Sequence, residues 1–505
     1  MNITFFRKLI SLLLIFFSFT LFAFANTLFV PEPKLQNALA RALSVEPASL
    51  TRDLVSEKLE FFELNNVGLR DLTGLEAAKN LKVLVLKDNL IENIEPLTGL
   101  SHLRKLDLSG NRISNLSALS GFSLTSMRNQ ISEIQKELSV KPSPELLLSL
   151  STLNERIKSG PWQLNELSLS RNRLLGLSGI SSLTYLEHLD VSGNALIDLE
   201  GVSSLSSLVT LYAQGNQLGR VENFVDENKN KIYDIGESFD DESGNGKRDT
   251  DPLSELKNLQ RLLNLHLYDN LISSVRSLQN LPRLKILLLS GNEIQMTDNL
   301  GNLHSLERLS LSDNRITSLS GLEHLENLEF LYLVENRICD LRPISRLKKL
   351  RELRLQRNQL VSMDSLSGLS ELSVLSISNN FIFSLKPIEE LKKLQRISIT
   401  GNYFNISDSS FKDIIKKLKN RGVFITIGSQ KERKIELEQL ISSLIGHPSS
   451  NQELGNYLQS NGYLRLVDFV DDSSLNETEK INSYNSWHSN LKSGKKLSNL
   501  TFLKR

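Results

Sequence analysis

One cysteine, Cys339, occurs in 505 residues. No intrachain disulfide can form, and the thiol clusters that hold structural zinc are excluded. Charge of one sign is also lacking, because 59 Lys+Arg stand against 58 Asp+Glu. There is no basic excess of the kind that grips nucleic acid, and no acidic excess of a solvating chain. The 7 histidines show no metal-ligand spacing, and neither G-x-S-x-G nor a P-loop occurs. Nothing activates Cys339, which follows Ile338 at the start of a return segment and reads as a free surface thiol. No catalytic constellation is left, so the chain does not read as an enzyme. At 40% hydrophobic and 23% charged it does read as folded.

Long apolar runs are missing too, with one exception. Arg7 and Lys8 precede the apolar stretch Leu9–Ala25, which ends Ala23-Phe24-Ala25. Small residues at these two positions suit signal peptidase. A membrane anchor is the other reading, since the run just reaches spanning length. The A-x-A ending and the polar chain that follows favour cleavage, with a mature start at Asn26. No cysteine follows the run, so lipid anchoring is excluded, and no second run could span. The expected location is secreted or cell surface, with the periplasm possible, and no integral membrane segment in the mature chain.

What is present in abundance is self-similarity. LKVLVLKDNLIENIEPLTGLSH from Leu81 and LRKLDLSGNRISNLSALSGF from Leu103 share L-x-x-L-x-L-x-x-N-x-I-x-x-L. The asparagine recurs every 22 residues within three groups: Asn89 and Asn111; Asn172, Asn194 and Asn216; and Asn270 through Asn292, Asn314, Asn336, Asn358 and Asn380 to Asn402. A first repeat from Leu59 has Val67 in the asparagine place, and a degenerate one is expected around Asn129. L-x-L puts two leucines on one face of a short strand. Beyond the asparagine, apolar residues come every third position, as in Ile91, Ile94, Leu97 and Leu100, which suits extended or 3₁₀ turns. No coil of this size buries its leucines alone; stacking hides them, at roughly 1.5–3 kcal/mol per side chain. The asparagine turns inward to satisfy backbone groups that would otherwise cost about 1–3 kcal/mol each. The expected fold is an α/β, curved, right-handed leucine-rich repeat solenoid, a horseshoe with a parallel sheet on its concave side.

In these repeats the chain resembles bacterial internalin-type leucine-rich repeat proteins over residues 29–428. The resemblance implies a helical N-cap over 26–58, with an amphipathic helix from Pro33 to Leu43 covering the first coil. It implies repeats over 59–402 and a C-cap over 403–429 made of a helix, a Gly-Val turn and a strand, with Tyr403 where the family commonly has proline. Both caps protect open ends of the solenoid.

Two insertions interrupt the spacing. Asn111 and Asn172 are 61 residues apart, and the extra stretch at about 135–160 reads as an amphipathic helix after Pro144, with Leu146, Leu147, Leu150 and Leu153 on one stripe. Packing on the convex flank is the plain account; a partner-binding protrusion is the alternative. Asn216 and Asn270 are 54 apart, and the insertion at 225–252 holds two calcium-type loops. Asp226, Asn228, Asn230, the Ile232 carbonyl, Asp234 and Glu237 fall at ligand positions of an EF-hand loop, though Lys231 stands where glycine makes the sharp turn. In the second loop Asp241, Ser243, Asn245, the Lys247 carbonyl and Asp249 follow in register, with Pro252 in place of the closing glutamate. A solvated polar insertion is the other reading. Two registers in tandem favour Ca²⁺, in the weak range of about 10⁻⁴–10⁻³ M typical of extracellular sites.

Residues flanking the inward leucines face the concave surface. Most are small or polar, but the middle coils place Tyr212, His266, Tyr268, Ile286, Leu288, Phe330, Tyr332 and Val334 there, bordered by Arg308, Glu352 and Arg354. Aromatics beside arginine are the composition of binding hot spots, unless neighbouring side chains cover them. The candidate ligand-binding set is Tyr212, His266, Tyr268, Leu288, Arg308, Phe330, Tyr332 and Arg354, for a protein or peptide and not nucleic acid. Residues 430–505 share no repeat pattern; they suggest two helices, a strand LRLVDFV and a basic end. The sequence reads as a calcium-stabilised binding scaffold, with surface adhesion or host interaction implied by the resemblance. A self-associating structural or envelope-assembly protein is the alternative.

Overall fold

The structure is a computed structural model that describes residues 26–120, 124–141, 162–220 and 251–431, with a few isolated positions between these stretches. The leader, both calcium-type loops and the tail beyond Lys431 lie outside the described residues. The chain divides into two compact units, one up to Leu265 and one from His266.

The first unit begins with its cap. Pro33 sets the first turn of α1 (Pro33–Leu43), Arg41 lies near the negative end of its dipole, and Ser44 closes it in the left-handed region. The stripe Leu35, Ala38 and Leu39 is buried. Thr51 then caps α2 (Arg52–Lys58), its hydroxyl accepting from the Leu54 N–H at 3.3 Å.

Each coil contributes one three-residue strand. The first unit has β1 (Phe61–Glu63), β2 (Val83–Val85), β3 (Lys105–Asp107), β4 (Glu166–Ser168), β5 (His188–Asp190) and β6 (Thr210–Tyr212). β7 (Asn264–His266) ends where the second unit begins. That unit has β8 (Ile286–Leu288), β9 (Arg308–Ser310), β10 (Phe330–Tyr332), β11 (Glu352–Arg354), β12 (Val374–Ser376), β13 (Arg396–Ser398) and β14 (Phe424–Thr426). Strands pair parallel, in chain order, in an open sheet, as in Phe330↔Glu352 and Leu331↔Leu353. From β2 to β12 the central leucine is buried between two flanking side chains on the opposite face, with Phe62 and Ile397 in its place in β1 and β13 and a half-buried Ile425 in the terminal β14, the alternation expected of L-x-L. The returns are 3₁₀ turns, for example Glu95–Leu97, Leu322–His324 and Arg342–Arg346, matching the period-three spacing. The architecture is the predicted solenoid.

The inward asparagines link coil to coil. The Asn336 Nδ2 donates to the carbonyls of Leu311 (2.9 Å), Leu333 (3.4 Å) and Val334 (3.3 Å), and its Oδ1 accepts from the Ile316 N–H at 2.9 Å. The same pattern holds at Asn89, Asn292, Asn314, Asn358, Asn380 and Asn402. Val67 needs no such amide, because no earlier coil lies beneath it to be satisfied. Instead its own N–H, with that of Leu69, is taken by the Asn89 Oδ1 at 3.1 and 3.0 Å. The residue just before the asparagine turns the chain through positive φ: Asp88, Gly110, Arg171, Gly291, Asp313, Glu335, Arg357 and Gly401 all lie between 52° and 69°.

One expectation fails. No coil forms around Asn129; that residue lies inside helix α3 (Leu124–Val140). The physical signal is in the sequence: Leu124, Met127, Ile131, Ile134 and Leu138 alternate three- and four-residue steps, the spacing of one helix face. The insertion therefore becomes helical earlier than the expected 135, and β3 pairs directly with β4, Asp107 opposite Ser168.

At the other end the second unit closes with α4 (Ser409–Asn420), a turn at Gly422 (φ 78°), buried Val423 and β14 beside β13. This is the helix, Gly-Val turn and strand that the resemblance implies. Tyr403 in the usual proline place stacks on Phe381, with ring centroids 6.0 Å apart, and Lys431 covers both rings at 4.5 and 5.1 Å.

Candidate functional site

Parallel register brings equivalent outward positions of successive coils side by side. In the second unit, one line of the strand face reads Ile286, Arg308, Phe330, Glu352; the next reads Leu288, Ser310, Tyr332, Arg354. His266, Tyr268, Ile286, Leu288, Arg308, Phe330, Tyr332 and Val334 are half-buried, and Arg354 is exposed. Of the two readings the sequence left open, an exposed patch or one partly covered by its neighbours, the half-burial of these residues matches the second. Over Phe330 and Tyr332 the cover is arginine.

The Arg308 guanidinium carbon lies 4.2 Å from the Phe330 ring centroid, and its Nη1 donates to the Tyr332 hydroxyl at 3.1 Å. Arg354 approaches the same tyrosine from the next coil, 5.2 Å from its centroid, and its Nε donates to Glu352 at 2.6 Å. Tyr332 therefore lies between two guanidiniums. Each cation–π contact contributes about 0.5–1 kcal/mol at a surface of this kind. The larger effect is on order: rings and guanidiniums are held in one arrangement before any ligand arrives, which lowers the entropy lost on binding. Among the described residues Arg308 has no carboxylate partner, so its donors can serve an incoming carbonyl or carboxylate.

The remaining predicted positions divide. His266, Tyr268 and Leu288 lie on the second unit's strand face, in the coils before the arginine cluster. Tyr212 belongs to the first unit, where it borders a shallow depression of about 140 Å³ lined by Lys105, Asp107, Glu166, His188 and Asp190. There the Lys105 ammonium meets Glu166 at 2.6 Å, and that hydrogen bond raises its pKa. The calcium-ligand candidates, Asp226 to Glu237 and Asp241 to Asp249, lie outside the described residues. Among the described residues no group of three or more His, Cys, Asp or Glu side chains could hold a metal, and no helix is long and apolar enough to cross a membrane. Cys339 is half-buried, and burial together with Asp340 pushes its thiol up to about 11.

Sequence reasoning missed the second cation–aromatic group, Phe381–Tyr403–Lys431. Its signal was available, since Phe381 and Tyr403 each follow a rung asparagine and are therefore coil-to-coil neighbours.

Comparison with known families agrees with this geometry. The family model described as Leucine Rich repeats (2 copies) matches residues 79–121 and 304–346, and that described as Leucine Rich repeat matches 182–206. The chain carries leucine-rich repeats. No curated protein matches it. Among solved structures, these leucine-rich repeats are similar to an internalin of Listeria monocytogenes, 20% identical with a TM-score of 0.59, covering 80% of this chain and 96% of that one. They are also similar to a leucine-rich repeat protein of Leptospira interrogans, 25% identical with a TM-score of 0.53, covering 76% and 88%. The likeness to internalins holds at the level of repeat and fold.

Proposed function

We propose that this leucine-rich repeat protein is an exported binding scaffold that engages a protein or peptide on the strand face of its second unit, at Arg308, Phe330, Tyr332 and Arg354. The observation that carries this reading is the bracketing of Tyr332 by two arginines, one of which keeps unpaired donors toward solvent. A half-covered aromatic beside a charge-assisted donor anchors a side chain and a backbone carbonyl together, the combination typical of hot spots. Tyr268 and Leu288 extend the apolar contact along the same face, while Tyr212 supplies a separate contact in the first unit. Calcium held by the 226–249 loops supports the scaffold, and the Leu9–Ala25 run directs its export to the cell surface or beyond.

The test is selection of a random peptide library on the exported chain, followed by binding of the selected peptides to variants. Arg308→Ala and Tyr332→Ala should each weaken binding at least tenfold, a loss of about 1.4 kcal/mol, with the melting temperature little changed. Peptides that bind the Tyr268→Ala/Tyr332→Ala double variant as tightly as the parent would place the site elsewhere.

A further inference from the structure

The C-cap carries a feature that the strand-face site does not use. Along the edge of the buried face of α4, Ile406, Phe411, Ile415 and Ile427 line an open groove of about 510 Å³, rimmed by Lys412, Lys416, Lys419 and Asn420. Ile406 is 55% exposed, an unusual state for a large aliphatic residue beside three cations. The lysines stand at i, i+4 and i+7, one face of the helix, where like charges oppose one another by about 0.2–0.5 kcal/mol per pair. Among the described residues none of the three has an ion-pair partner, whereas Lys417 on the adjacent face is paired to Glu389 at 2.9 Å. An apolar trough with an unpaired basic rim fits an apolar segment that carries acidic residues.

We propose that the occupant is the chain's own tail, the segment Leu464–Asp472. Its sequence, LRLVDFVDD, joins five large apolar residues to Asp468, Asp471 and Asp472, with Arg465 as its one cation. The other apolar stretch of the tail, Ile435–Ile445, carries Glu436 and Glu438, but it follows directly on Lys431, Arg433 and Lys434, so that residues 431–445 together bear as many cations as carboxylates. Reach is not limiting. Ile427 lines the groove four residues before Lys431, and a flexible connection from there to Leu464 has a typical span of roughly 30 Å. The helix it must lie along is about 18 Å long. Docking would cover Ile406, neutralise the lysine rim and tie the tail to the last coil. The inference is independent of the ligand site proposed above.

The experiment uses the whole chain. Zero-length carbodiimide coupling of lysine to aspartate, at dilute protein and mapped by mass spectrometry, should join Lys412, Lys416 or Lys419 to Asp468, Asp471 or Asp472. The links should disappear in the K412E/K416E/K419E variant and return when D468K/D471K/D472K is added. The tail variant D468N/D471N/D472N, which leaves the repeats untouched, should lose the links and speed tryptic cleavage after Arg465. Links from the lysines to another tail segment would overturn the assignment. So would links between isotopically labelled and unlabelled copies, which mean a second molecule in the groove. An uncoupled wild-type chain, or an Arg465 cleavage rate equal in parent and tail variant, leaves the groove to an external partner and defeats the proposal.

Discussion

Replacing one rung asparagine tests the energetic role of the ladder. In Asn336→Ala, the three carbonyls that lose the amide keep a second donor. Leu311 retains the Asn314 Nδ2 at 3.1 Å, Leu333 the Asn358 Nδ2 at 2.7 Å, and Val334 the Asp313 N–H at 2.7 Å. The Ile316 N–H has no such reserve, because its bond to the Asn336 Oδ1 is the one that vanishes. One orphaned buried donor costs about 1–3 kcal/mol, and the weakened carbonyl bonds add about 1, so the expected loss is about 2–4 kcal/mol. Urea unfolding followed by circular dichroism measures it, with Asn327→Ala, an exposed amide paired to Lys349, as a control expected within about 0.5 kcal/mol. Asn336→Asp adds a pH signature. Its carboxylate would keep the Ile316 bond but turn its other oxygen toward carbonyls, so the charged form is disfavoured and the folded pKa rises. The folded state then holds the proton more tightly than the unfolded one. Relative to wild type, the variant should be best below the ordinary aspartate value of about 3.9 and lose stability as pH rises through the raised folded value. An alanine variant within about 0.5 kcal/mol of the parent, or an aspartate variant whose deficit ignores pH, would refute the role assigned to the amide.

The Cys339 thiol, pushed up to about 11, should alkylate slowly at neutral pH and reach half its maximal rate near that value in a rate–pH profile. Because the folded state keeps the proton, this group should also erode stability between its ordinary value of 9.0 and about 11 as pH rises, a loss absent from Cys339→Ala in paired melts. At Gly291, φ is 66° and a Cβ would press on the Asp269 carboxylate, so Gly291→Ala should cost about 1–2 kcal/mol by urea unfolding, chiefly through the left-handed backbone. Arg357→Gly, at φ 56°, should gain up to about 1 kcal/mol, since relief of the left-handed backbone exceeds loss of an exposed pair with Glu335. If the 226–249 loops hold calcium, calorimetric titration should show binding at about millimolar concentration or below, lost on Asp226→Ala with Asp241→Ala.

The rungs could be read from the sequence because a 22-residue step forces identical surroundings at each asparagine, so one coil explains all. The outward register of Arg308, Phe330, Tyr332 and Arg354 followed from alternation alone. Their half-burial did not, because it depends on which side chain stands one coil away: Arg308 lies over Phe330 only because both occupy the same line of the sheet. The left-handed residue before each asparagine escaped notice since its identity varies from Asp88 to Gly110 to Arg171, and a backbone requirement leaves only a weak mark when Asp, Glu, Arg and Gly all meet it. The coil expected at Asn129 failed for the opposite reason. A single asparagine was given weight, while the three-four spacing around it, which decides helix against strand, was the stronger signal.

The direct pairing of β3 with β4 across the α3 insertion has a further consequence. Fifty-odd residues intervene, yet Leu106 still lies beside Leu167, and the Asn172 Oδ1 accepts from the Ile113 N–H at 2.9 Å as though nothing separated them. The junction therefore behaves as a docking port for foreign sequence. A designer could exchange what is plugged in there for a module whose two ends lie close together, and the coils on either side should still pair.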